Sequence, residues 1–147
     1  MVVKLSAGLT ALVAVAVISS PAAAVADAGA PVLIATSGVL CSVSADDVAR
    51  GGGPTVACQR SDGETFPQSP FSNTKPNPKL TLAVVRPGGQ FQWDLGSVSG
   101  GQPINVAVGQ TYNANGWTIE ANDQRATFAY GAAGHGMWIN AELVHPN

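Results

Sequence analysis

Two histidines bound the acid–base chemistry open to this chain, since any imidazole-based catalyst must use His135 or His145. His145 lies close to the C-terminus, where chains usually fray. His135 sits in Gly134-His135-Gly136, where glycines let backbone approach a ligand closely. Asp94, Asp123 and Glu120 are the carboxylates to set beside it. A histidine next to a carboxylate can act as a general base, which makes His135 with Asp123 the candidate catalytic pair. The plainer reading is a turn histidine bonded to its local backbone. Gly96-Ser97-Val98-Ser99-Gly100 has the outline of a nucleophile elbow, but its central position holds Val98 where a serine hydrolase needs Ser. That segment reads as a loop.

Metal chemistry finds less support, and no metal or other cofactor is expected. The two histidines lack the i, i+4 helical spacing of a zinc peptidase. Asp46-Asp47 with Asp62-Gly63-Glu64 offers oxygen ligands but not the spaced acidic loop of an EF-hand. Helix capping and turn formation account for these acids. Trp93, Trp117 and Trp138 are candidates to line a sugar or lipid site, against a core role for all three. Trp138 is the binding candidate, with His135, because it opposes the apolar face of its strand.

Cys41 and Cys58 are the only cysteines, and an even count in an exported chain predicts one disulfide. Closing so short a loop is worth about 3 kcal/mol. A thiol pair for metal or redox work is the alternative, and the spacing is far from Cys-x-x-Cys. Export itself is read from the N-terminus. Lys4 precedes an uncharged run over residues 5–18, Pro21 follows, and Ala24-Val25-Ala26 before Asp27 has the small-x-small form of a cleavage site. The run is shorter than the roughly 20 apolar residues of a membrane span. Residues 1–26 are therefore expected to be a Sec-type signal peptide cut between Ala26 and Asp27. Residues 27–147 are expected to form a single secreted β domain with no transmembrane segment.

The formal net charge is −2, and loss of Lys4 with the leader makes it one unit more negative. No block of either sign exists, so nucleic acid and anionic membrane surfaces are not expected partners. Only 11% of residues are charged, which leaves a surface of Ser, Asn, Gln, Thr and Gly suited to polar recognition.

Short apolar or alternating runs predict strands at 32–35, 39–43, 55–60, 80–86, 91–95, 104–108, 117–121, 125–130 and 137–144. A brief return strand is expected at 65–66. Turn residues separate them, among them Thr36-Ser37-Gly38, Pro87-Gly88-Gly89 and Asn122-Asp123. Ser44 with Asp47 outlines a capping box, and predicts one or two helical turns before Gly51-Gly52-Gly53-Pro54. Pro67, Pro70, Pro76 and Pro78 exclude a central strand and mark an exposed loop. The expected fold is all-β: a small antiparallel β-sandwich or β-barrel with one short helix in the disulfide loop.

Cys41-Ser42-Val43-Ser44-Ala45-Asp46-Asp47-Val48-Ala49-Arg50, then Cys58-Gln59-Arg60-Ser61-Asp62-Gly63, together with Gly116-Trp117-Thr118-Ile119 and Gly134-His135-Gly136-Met137, resemble small secreted actinobacterial proteins, mycobacterial ones in particular. The resemblance spans most of the chain after residue 26 and implies export and one disulfide. That group carries no assigned activity, so no site residue is carried over. The leading expectation is a non-enzymatic domain that binds a protein, glycan or lipid at the cell envelope. A small hydrolase using His135 is the second, and a lipid carrier with an apolar cavity in a barrel is the third.

Overall fold

The computed structural model describes residues 30–147. The expected signal peptide and its cleavage site, Ala26 and Asp27, lie outside the described residues. Eleven strands form: β1 Val32–Thr36, β2 Val39–Ser44, β3 Thr55–Arg60, β4 Leu82–Val85, β5 Phe91–Asp94, β6 Ile104–Asn105, β7 Thr111–Ala114, β8 Trp117–Ala121, β9 Ala126–Tyr130, β10 His135–Ile139 and β11 Val144–Pro146. They make a six-stranded sheet in the order β5-β4-β3-β2-β1-β6 and a five-stranded sheet in the order β11-β10-β9-β8-β7. Every pairing is antiparallel except β1 with β6, which is parallel. No helix among the described residues is long and apolar enough to cross a membrane.

Period-two patterning sends alternate side chains to one inner face of each sheet. Ile34, Val39, Cys41, Val43, Val56, Cys58, Ala83 and Val85 from the first sheet meet Trp117, Ile119, Phe128, Met137 and Ile139 from the second in one buried core. Both sheets keep free edges, so the architecture is a sandwich and the barrel alternative fails. Cys41 and Cys58 are directly opposite on β2 and β3, joined by a disulfide and fully buried.

The expected helix within that disulfide loop does not form; a single 3₁₀ turn at Val48–Arg50 stands in its place. Ser44 is used as the last residue of β2, and Asp47 makes no side-chain cap bond. The acids bind other partners instead. Asp46 Oδ1 accepts the Gly53 N–H at 2.7 Å, and Asp47 Oδ2 accepts from Arg50 Nη1 at 2.8 Å. Gly51, Gly52 and Gly53 all have positive φ, which ends helical geometry within one turn. Arg86 closes the loop by donating to the carbonyls of Gly52 and Arg50.

Three further expectations change. Thr65-Phe66 is not a strand, because Phe66 turns inward, fully buried, and packs on Trp93 with ring centroids 5.8 Å apart. The strand expected over 137–144 is two strands, split where Asn140 Oδ1 accepts the N–H groups of Glu142 and Leu143 at 2.8 Å each. Finally, β7 was not anticipated. Its hairpin with β8 turns at Asn115 and Gly116, both with positive φ. The sequence did carry the signal, since Asn-Gly is the strongest two-residue hairpin turn.

Residues 95–103, around the Gly96-to-Gly100 segment that reads as a loop, form a strap. It leaves β5, one edge of the first sheet, and crosses the sheet's outer face to β6 at the other edge. Val98 packs on Ala57, Leu82 and Val84, and its N–H donates to Gln59 Oε1 at 2.8 Å. Gly100 then lies against Leu33 of β1.

Two stability outcomes follow from this packing. A Cβ on Gly136 would fall 1.8 Å from the Phe128 carbonyl oxygen of the neighbouring strand. Gly136→Ala is expected to cost about 3 kcal/mol or more in a urea titration, whereas Gly101→Ala, which meets nothing within 4 Å, should stay within about 0.5 kcal/mol. Reducing the Cys41–Cys58 bond, whose separation is 17 residues, should lower unfolding free energy by about 3 kcal/mol in the same assay.

Candidate functional site

The side of the sandwich where β6 and β7 are the two free edges is not zipped closed, and two recesses open there. The larger, about 350 Å³, lies where the β1–β2 turn, residues 106–108 and the β8–β9 turn come together. Each part of its rim is tied down. The β1–β2 turn is a tight hairpin with positive φ at Ser37 and Gly38. Thr36 Oγ1 donates to the Val106 carbonyl at 2.8 Å, and Val106 N–H donates back to Ala35 O at 3.1 Å. In the β8–β9 turn, Asn122 Oδ1 accepts the N–H groups of Gln124 and Arg125 at 2.9 and 2.8 Å, while Asn140 Nδ2 donates to Gln124 O. Gln110 Oε1 fixes the third segment by accepting the Ala107 N–H at 3.0 Å.

The smaller recess, about 260 Å³, shares Val106 with the first and continues between the two sheet edges. Asn105, Gln110, Thr111 and Tyr112 complete its lining, and none is charged. Together the recesses offer amide, hydroxyl and backbone groups with short apolar surface from Val106, Ala107 and the exposed Val108. Asp123 is the only charged side chain in either lining. Chemically, such a lining offers hydrogen-bond donors and acceptors rather than charge.

The sequence candidates are distributed elsewhere or apart. Asp123 lies at the mouth of the larger recess, in the β8–β9 turn. His135 opens β10 opposite Tyr130, at the far end of β9, beside Gly89 and the C-terminal Asn147. The length of a five-residue strand, about 13 Å, separates the two ends. Glu120 lies at the Asp123 end of β8, and Asp94 is on β5 of the other sheet with Arg50 Nε 3.4 Å from its carboxylate. The fold therefore brings none of these three carboxylates to His135.

Trp138 does face outward, but its ring is engaged within the chain. His145 stacks on it at 4.9 Å with planes 4° apart, and the Arg125 guanidinium carbon lies 4.5 Å from the ring centroid. Trp117 is buried in the core, and Trp93 packs between Phe66 and Phe91. Asp46-Asp47 and Asp62-Gly63-Glu64 flank opposite ends of β3. Among the described residues, no three His, Cys, Asp or Glu side chains converge as a metal site.

The recess residues 105–112 escaped sequence reading because nothing in their types is chemically distinctive; the meeting of two sheet edges makes them a site. Displaced titration occurs outside it, in the Ser61–Glu64 turn. There the Arg60 guanidinium, 2.6 Å from Asp62, together with the Glu64 N–H holds the Asp62 carboxyl below its usual range. A folded-state value below the unfolded one stabilises the fold above the ordinary aspartate value of 3.8. That contribution fades as pH falls through the folded value. Asp62→Asn should thus lower Tm slightly at pH 7, the pair being exposed, and the difference from wild type should vanish in melts at strongly acidic pH.

No protein-family model matches this chain, and no significant match is found among curated proteins or solved structures.

Proposed function

We propose that this chain is an exported, non-enzymatic binding module of the cell envelope that engages its ligand through the recesses on its open side. The observation that carries this reading is the larger recess, a polar hollow of about 350 Å³ whose three rim segments are each fixed by hydrogen bonds. Binding sites are concave, with a few placed polar groups on a rigid frame. The leader-like N-terminus and the buried disulfide favour work outside the cytoplasm. A hydrolase built on His135 draws no support from the positions of Asp94, Glu120 and Asp123. A lipid carrier needs room between the sheets, and Trp117, Phe66, Phe128 and Met137 fill that space.

The test is an amide-resolved NMR titration of the ¹⁵N-labelled protein with soluble muropeptides from a cell-wall digest, which present sugar and peptide together. Saturable shifts are expected at Ser37, Val106, Ala107, Val108 and Asn122 to Gln124, with the muropeptide mass unchanged after prolonged incubation. Cleaved product that disappears with His135→Ala would replace the binding reading with the hydrolase. Shifts confined to the Gly131–His135 end would move the site.

A further inference from the structure

We infer that the outer edge of β7 takes an extended, uncharged peptide segment of a partner protein as an added strand, with one of its side chains entering the 260 Å³ recess. This rests on the reading of the chain as a binding module and gives that site its class of partner.

Among the described residues the two sheets have four free edges, which β-proteins ordinarily blunt. β6 is two residues long and follows Pro103; β11 is three residues long and ends in Pro146. β5 carries the Asp94 carboxylate with Arg50 beside it. β7, Thr111-Tyr112-Asn113-Ala114, is four residues long, holds no proline, glycine or charge, and is flanked by no proline. It pairs only with β8, and no other backbone bond of residues 111–114 occurs among the described residues.

Register tells which groups are free. A two-residue turn at Asn115-Gly116 closes on a hydrogen-bonded pair, here Ala114 with Trp117. Pairs alternate along an antiparallel ladder, so Tyr112 with Ile119 is bonded and Thr111 and Asn113 are not. The N–H and C=O of Thr111 and Asn113 therefore point away from β8, towards the free edge. A strand laid there takes up these four groups, while its inward side chain meets the recess lined by Asn105, Val106, Gln110, Thr111 and Tyr112. That is the division of labour in strand addition: main chain for affinity, pocket for selectivity.

The recess also selects the occupant. Its lining is uncharged, so an ionised side chain would lose water with no counter-charge. A second copy pairing through its own β7 would have nothing to insert. The inward residues of that strand, Tyr112 and Ala114, are already buried in their own core at 9% and 4% exposure. An extended segment of another protein, with a neutral side chain free to enter, fits both requirements.

The experiment uses random nonapeptides displayed on phage as the probe, selected against the disulfide-intact protein and then synthesised. Selected peptides are expected to be neutral across the contact. They should slow amide exchange at Thr111 and Asn113 by about tenfold or more, one hydrogen bond's worth. Thr111→Pro, which removes an outward N–H at the first residue of the strand, where proline is tolerated, should weaken them by about tenfold. Asp62→Asn, which lies outside this edge and both recesses, should leave affinity within about threefold. If Thr111→Pro does not fold, the exchange measurement on the wild type decides. Protection at β5 or β11 instead, or selected peptides that are charged at the contact, would overturn the inference. So would a concentration-dependent dimer that protects the same two amides. If no peptide is selected while muropeptides still shift residues 106–108, the peptide partner is wrong and the binding module stands. If neither probe binds, both readings fall.

Discussion

The covalent bond between Cys41 and Cys58 lies in the middle of the first sheet, on the face that looks into the core. It ties β2 to β3 at a directly opposed pair and so fixes their register, which decides which side chains face inward. A one-residue slip of β2 would turn Val39 and Val43 out to solvent. The sheet grows outward from this pair, with β1 on one side and β4 and β5 on the other. The segment between the cysteines is left as a compact loop, drawn in by Arg86 and closed by Asp46 on Gly53. With its ends held by sulfur and its middle by these bonds, that loop has no need of a helix.

Much of this was legible in the residue pattern, and the misses share a cause. Runs such as 32–35, 55–60 and 117–121 alternate or stay apolar because one face is buried, and burial writes itself into sequence. Thr65-Phe66 follows a turn signal as a returning strand would, but Phe66 is a plug, and only tertiary packing against Trp93 distinguishes the two. The break at Asn140 was hidden by Met137, Ile139, Ala141 and Leu143 continuing the alternation through a turn. The helix was overestimated because Ser44 and Asp47 have the right spacing for a cap, whereas the sheet required Ser44 and the loop required the acids. In each case a local preference lost to a distant partner.

The candidate site was less legible than the fold. His135, Asp123 and Trp138 drew attention through their chemistry, yet β9 holds the first two apart and the third is committed to His145 and Arg125. Apart from Asp123, the recess residues are threonine, serine, valine, alanine, asparagine, glutamine and tyrosine, types that any β-rich surface contains. They matter because β6 is so short that the first sheet ends early, leaving the β7 side open. That is a property of topology, and no single residue announces it.

The parallel pairing of β1 with β6 has a consequence for the order in which the structure can assemble. Ile34 faces Ile104, so one flank of the first strand stays bare until the chain has been made through the strap and beyond it. During that interval Val32-Leu33-Ile34-Ala35-Thr36, a β-prone and uncharged run, presents an unsatisfied backbone edge. The folding chain is thus open to mispairing along this flank of β1, and the hazard is lifted only by residues in its last third. Contacts of such long sequence separation form late. The docking of β6 is then the step that converts a half-covered, association-prone sheet into a protected one.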